Sequence, residues 1–286
     1  PLDSPTELGG APVRIAVPTL PWEIQGFKVN EGPAVLIRNG RVFMTFSASA
    51  TDARYCMGLL TADADADLLN AASWIKSPDP VFVTSEVTST YGPGHNSFTV
   101  DERGRDMLAY HARDYRDIVG DPLFDPNRHT RVQRLYFDDD GTPNFGIPVG
   151  NGTLPVRLQP IDRPGSYVSH VDAQVALGDP LRIETSQFRL RDGFAGRGTS
   201  AFEALDAPGR FLRGTVDGVT LAANDGSSSF ATQASFIRRP GLADARGTSW
   251  EAAGARRSFL LHDGDALRMS TIGHRQGKES ATFFLR

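Results

Sequence analysis

The chain has 286 residues, among them 29 Gly and 19 Pro, and a formal net charge of −4. This length accommodates one large domain or two modest ones, and abundant turn formers beside 40% apolar residues point to a β-rich globular protein. No stretch approaches the roughly 20 apolar residues of a bilayer-spanning helix, and 30 basic residues against 34 acidic ones, with no dense basic tract, argue against nucleic acid as a partner.

A neutral or weakly charged ligand suits this balance. Cys56 stands alone, which excludes an intrachain disulfide framework and a cysteine-based zinc cluster. Between Tyr55 and Met57 it reads as buried strand filler. No signal peptide is visible, and a first residue that is Pro rather than Met reads as a processed product or a piece of a longer chain.

Up to about Gly152 the apolar stretches are short, strand-like and separated by turn chemistry. Residues 33–38 and 41–46 flank Asn39-Gly40, a pair that tolerates the positive φ of a tight hairpin. Residues 96–100 and 106–110 repeat the idea across a longer loop, and residues 131–137 followed by Asp138-Asp139-Asp140-Gly141 form a third strand and turn. Only residues 62–74 could hold a turn or two of helix. Asp63, Asp65 and Asp67 alternate like the opening of a calcium loop, but Leu68 replaces its Gly and Trp74 its final Glu, so they read as a solvated face. Hairpin after hairpin suggests sheet blades or a sandwich.

The second half repeats itself. Pro164-Gly165-Ser166-Tyr167-Val168 returns as Pro208-Gly209-Arg210-Phe211-Leu212 and, more loosely, as Arg256-Arg257-Ser258-Phe259-Leu260. Each copy ends in a similar strand, at residues 186–190, 234–238 and 281–285, and the Arg-Gly-Thr-Ser of 197–200 recurs at 246–249. Tyr167 and Phe211 are 44 residues apart, Arg197 and Arg246 are 49, a spacing that marks a repeat architecture. Three all-β copies fall short of the about four to eight blades of a propeller, so a closed three-fold β-trefoil is expected, a fold that commonly binds sugars at up to three equivalent sites.

Three segments could carry chemistry. In Val29-Asn30-Glu31-Gly32-Pro33 a carboxyl begins a strand behind a Gly-Pro turn. Burial there would raise its pKa, as a general acid requires; a turn Glu facing solvent fits the same pattern. Tyr91-Gly92-Pro93-Gly94-His95-Asn96 delivers His95 to the start of a strand as a metal ligand, a substrate contact or a hydrogen-bonded strut. Tyr110-His111-Ala112-Arg113-Asp114 is joined by a loop to Asn127-Arg128-His129-Thr130-Arg131, residue types typical of polar pockets.

These motifs, with Trp22-Glu23 and the 46–52 run, Phe-Ser-Ala-Ser-Ala-Thr-Asp, closely resemble glycoside hydrolase family 43, most of all its α-L-arabinofuranosidases and exo-arabinanases, over residues 13–149. The repeat region resembles the arabinofuranosidase B-type module, carbohydrate-binding module family 42. The resemblance implies an all-β chain: residues 1–154 as the C-terminal portion of a five-bladed β-propeller and residues 155–286 as a β-trefoil that binds arabinose.

It further implies inverting hydrolysis with Glu31 as general acid. His95 would lie near the propeller axis, close to a calcium or sodium ion and reaching it through water. An Arg contacting the sugar would be Arg131, or alternatively Arg128. The family's base Asp and its pKa-tuning Asp have no counterpart, since Asp3 alone precedes Glu31 and its surroundings match neither motif. A second polypeptide carrying the N-terminal propeller half is therefore an expected partner, beside arabinose-containing plant polysaccharide, arabinan or arabinoxylan.

In the repeats, the sugar sites imply His170 with Asp179 in the first copy and Asp225 without a His, because Gly214 stands there, in the second. The third has His262, with residues 275–278 where its Asp loop should be. One competent site, the first, is expected. The function implied is that of a secreted exo-acting α-L-arabinofuranosidase; a non-catalytic arabinose-polysaccharide-binding protein or an inactive fragment is the alternative.

Overall fold

Asn39 and Gly40 both take positive φ, 50° and 74°, the backbone of a two-residue hairpin turn. The strands they join, Asn30–Arg38 and Arg41–Ala48, pair from Arg38↔Arg41 outward. The computed structural model describes residues 2–273 and 275–286, with side chains at all of these except Arg275 and Gln276. It is all-β but for short helical turns. It comprises two units, residues 1–150 and 151–286.

In the first unit a four-stranded antiparallel sheet runs in chain order through Asn30–Arg38, Arg41–Ala48, Cys56–Asp63 and Ile75–Lys76. A three-stranded sheet follows, from Tyr91–Val100, Asp106–Arg113 and His129–Arg134. Consecutive strands neighbour one another throughout, as hairpin connections require. Met57, Phe82, Leu108, Tyr110, Leu135 and Phe145 form one core cluster. Cys56 belongs to a second with Phe46, Ala48 and Leu60, where burial pushes its thiol up to about 12.

The third predicted strand is interrupted: His129–Arg134 and Tyr136–Phe137 are separate, and the latter pairs with Pro143–Asn144 around the Asp138 turn. The helical turn expected within residues 62–74 is mostly loop. Its beginning completes the Cys56–Asp63 strand, and only a 3₁₀ turn, Ala71–Ser73, forms, capped by the Asn70 side chain. Asp63, Asp65 and Asp67 are exposed.

In the second unit eight strands close into a ring. Thr248–Ala252 pairs with Phe236–Pro240, then in turn come Thr199–Ala204, Arg210–Gly214, Val219–Ala223, Gln174–Gly178, Ala266–Thr271 and Ser258–Asp263. The last returns to the first through Glu251↔Phe259. Closure leaves no free edge within the ring. Three hairpins, beginning at Tyr167, Arg210 and Ser258, carry the three sequence copies. Phe188, Phe236 and Phe283, one per copy, are buried in a common core with Phe202 and Trp250.

Candidate functional site

In the first unit the pieces converge on Glu31. The pairing of its strand shifts register between Glu31 and Ala34, a bulge that turns the Asn-Glu-Gly-Pro segment out of the regular ladder. Gly32 sits at φ 55°, and a Cβ there would come within 3.0 Å of the His95 ring. Glycine is what lets the two segments approach. The Tyr55 hydroxyl donates to Glu31 Oε1 at 2.6 Å.

Tyr55 is almost wholly buried, and its ring stacks on His111 at 5.4 Å and 10° between planes. His111 in turn stacks on His95 at 6.2 Å. Ser47, opposite Glu31 in the sheet, accepts the His95 backbone N–H at 2.7 Å. His95 itself is exposed at a positive φ of 49°, which turns its side chain out of the strand. Beside this group lies a cavity of about 310 Å³, bounded by Glu31, Phe27, Asp52, Arg54, Asp121 and Leu123.

The electrostatics are specific. Burial, then the hydrogen bond to Glu31, raises the Tyr55 hydroxyl far above its ordinary range, so it remains a proton donor. Burial, aided by the charge of Arg128, lowers His111 to about 4, so it is a neutral imidazole at neutral pH. Glu23 is also buried, but its carboxylate already accepts from the Thr19 and Leu20 N–H groups, from Lys76 and from Asn30. It steadies Asn30 next to Glu31 and has no capacity left for chemistry.

Of the two arginine candidates, Arg128 is the one whose charge reaches Tyr55 and His111. Arg131 is buried on its strand and pairs with Asp114. Among the described residues no three His, Cys, Asp or Glu side chains form a metal-binding group. Calcium takes six to eight oxygens, so the exposed His95 would meet such an ion through a bound water rather than through its ring nitrogen.

In the second unit, His170 Nε2 meets Asp206 Oδ1 at 2.8 Å, and both are buried or nearly so. Asp179 is not bonded to His170 but lines the same cavity of about 690 Å³, together with Ser169, Asp172, Arg182 and Arg210. The third copy repeats the pair: His262 Nε2 meets Asp162 Oδ1 at 2.9 Å beside a cavity of about 360 Å³. His262 therefore has its carboxylate, supplied by the turn of the first copy. Residues 275–278 begin the short helix Arg275–Ser280, and the side chains of Arg275 and Gln276 lie outside the described residues.

The second copy has neither partner. Gly214 replaces the His and Gly254 the Asp, and a Cβ at either would come within 2.7 Å of Met269 Sδ or 3.0 Å of Thr232 Cβ. Asp225 accepts the Ser227 N–H at 2.8 Å just before the helix Ser228–Gln233. The Ser227 side chain, then this backbone hydrogen bond, lowers its carboxyl pKa. Asp162 and Asp206 were absent from the residues singled out in the sequence. Both stand two positions before a repeated Pro-Gly, the signal by which the copies betray them.

The chain joins an antiparallel-sheet unit bearing the Glu31–Tyr55 pair to a three-copy closed β-ring bearing the His170–Asp206 and His262–Asp162 pairs. Residues 2–143 match glycosyl hydrolases family 43, and residues 156–285 match the alpha-L-arabinofuranosidase B (ABFB) domain. The chain thus carries a glycoside hydrolase family 43 segment and an ABFB domain.

It is 50% identical over 284 residues to an extracellular exo-α-(1→5)-L-arabinofuranosidase of Streptomyces avermitilis, spanning 98% of this chain and 59% of that protein. It is 46% identical over 300 residues to alpha-L-arabinofuranosidase 43 of Humicola insolens, spanning all of this chain and 62% of the relative. The chain is thus about 60% as long as these relatives' full extent. An alpha-L-arabinofuranosidase from Lactobacillus brevis superposes with a TM-score of 0.52 at 57% identity, covering 53% of this chain and 47% of that one.

Proposed function

We propose that this chain is part of a secreted, exo-acting α-L-arabinofuranosidase that removes terminal arabinofuranosyl units from arabinan or arabinoxylan by inversion. The observation that carries the reading is the Glu31 carboxyl, held by Tyr55 at the wall of a cavity within the family 43 segment. Glu31 donates its proton to the glycosidic oxygen as the bond from that oxygen to the anomeric carbon breaks. A water molecule, deprotonated by a carboxylate across the sugar, adds to the opposite face; inverting pairs stand about 6.5–9.5 Å apart.

The family resemblance puts the base on an Asp that precedes the acid, and Asp3, the one Asp before Glu31, is exposed; on this reading the base comes from the part of the relatives' length that the 286 residues do not span. That part is the remainder of a five-bladed propeller, on the same polypeptide or on a second one. The first unit would then be its C-terminal blades, and the ring of the second unit a β-trefoil that anchors the enzyme to its polysaccharide. Secretion is inferred from the extracellular relative; no helix among the described residues is long and apolar enough to cross a membrane.

The test is Glu31→Gln in the complete enzyme, its chains counted by intact mass. Hydrolysis of arabino-oligosaccharides should fall by about 10²–10⁴-fold, and proton NMR of the wild-type reaction should show β-arabinofuranose as the first product. Full activity in the variant, or an α first product, overturns the reading. A non-catalytic polysaccharide binder is the second reading, favoured by the two intact His–Asp pairs of the second unit. It prevails if no hydrolysis of arabinofuranosides is detected.

A further inference from the structure

At the Glu31 site, the Tyr55 hydroxyl is hydrogen-bonded to the carboxyl itself. Tyr55 comes from the turn before the Cys56–Asp63 strand and is 1% exposed. Burial of a tyrosine hydroxyl needs a partner, and the partner is Glu31 Oε1 at 2.6 Å. The surrounding motif is shaped around this ring. A Cβ on Gly94 would lie 2.4 Å from Tyr55 Cε1, and one on Gly92 would lie 3.5 Å from Tyr55 Cβ and 2.3 Å from the Asp52 carbonyl oxygen. The Gly-Pro-Gly run thus delivers His95 and makes room for the tyrosine in the same turn. From the other face the ring rests on His111.

We propose that Tyr55 is the positioning residue of the general acid: its hydroxyl holds Oε1, so that the transferable proton resides on Oε2, and it stabilises the carboxylate left when that proton departs. This rests on the reading of Glu31 as the acid. The Oε2–H bond breaks, the leaving oxygen gains the proton as its bond to the anomeric carbon breaks, and the negative charge that develops on Glu31 is met by the Tyr55 O–H. A donor to the charged form of a carboxyl favours that form. Tyr55 therefore meets the charge that the departing proton leaves on Glu31.

The groups facing the pair are the hydroxyl of Ser47, the rings of His95 and His111, and the charge of Arg128. Arg113 adds its charge at His111, and Asp52, Arg54 and Asp121 share the cavity wall with Glu31. Tyr55→Phe keeps the stacked ring and these groups, and removes only the hydroxyl with its hydrogen bonds to Glu31 and Ser47. A shift in the pH profile of that variant therefore reads the hydroxyl alone.

In the complete enzyme, Tyr55→Phe should lower kcat on an arabino-oligosaccharide about tenfold, with KM within about twofold and a much smaller loss on 4-nitrophenyl arabinofuranoside, whose leaving group needs little protonation. The alkaline limb of its kcat profile should move up by about half a pH unit or more. In the 286-residue chain itself, carbon-13 NMR of labelled glutamates should show the Glu31 titration midpoint moving up by a similar amount. Replacing Tyr55 by 3-fluorotyrosine, a stronger donor of nearly the same shape, should move both readouts the other way and keeps the test available if the Phe variant does not fold.

An unmoved limb together with an unmoved Glu31 midpoint overturns the proposal. Full oligosaccharide activity in Glu31→Gln overturns the acid assignment instead, and the NMR midpoint then still reports on the hydrogen bond.

Discussion

His111 is the residue most directly answerable to pH. An unfolded histidine titrates near about 6.5, whereas burial lowers His111 to about 4 in the folded chain. Between those values the unfolded chain binds the extra proton, so stability falls as pH drops from about 6.5 to about 4. The lowered carboxylates, such as Glu23 and Asp125, contribute stability that is lost at lower pH, as each is protonated. The chain should therefore melt about 3–6 °C lower at pH 4.5 than at pH 7, and His111→Phe, which keeps the stack on Tyr55, should flatten most of that difference by thermal denaturation. An identical slope in the variant places the pH dependence elsewhere.

At the scale of the element, the decisive feature is the close approach of two sheets where the Tyr91–Val100 strand meets Tyr55. Gly94 pairs with His111 in the sheet and has no space for a Cβ against the Tyr55 ring. Gly94→Ala should cost about 1–3 kcal/mol by overpacking and weaken the Tyr55–Glu31 hydrogen bond. A melting curve and the Glu31 NMR signal check both effects. Gly178→Ala, where nothing lies within 4 Å of the added carbon and φ is not positive, should be close to neutral. Equal costs at the two positions would mean that the approach to Tyr55 is not what requires glycine.

At the scale of the whole molecule, the second unit distributes its His–Asp pairs by repeat. Among the described residues two His–Asp pairs are present, each with its histidine on one copy and its aspartate on the turn of the next. In the third such place both are glycine, and Met269 and Thr232 fill the space. We expect calorimetry with arabino-oligosaccharides to give about two sites per chain. His170→Ala and His262→Ala should each leave about one, and the double variant none. A stoichiometry of one, lost in His170→Ala alone, returns the module to the single site that the sequence suggests.

Much of this was written in short range. The Asn39-Gly40 turn, the strands on either side of it and the Glu31 and His95 motifs are set by turn chemistry and alternation within about ten residues, where each side chain biases its own backbone, and the three copies show as recurrence along the chain. The partners of the site were not legible that way. Tyr55 lies 24 residues from Glu31, Asp206 lies 36 from His170 and Asp162 lies 100 from His262. Strand pairing across the first sheet brings Tyr55 beside Glu31, and the closing of the ring brings each histidine to the turn of another copy. Those are decided by which faces can be buried against each other, a property of the packed chain that no local stretch of residues contains.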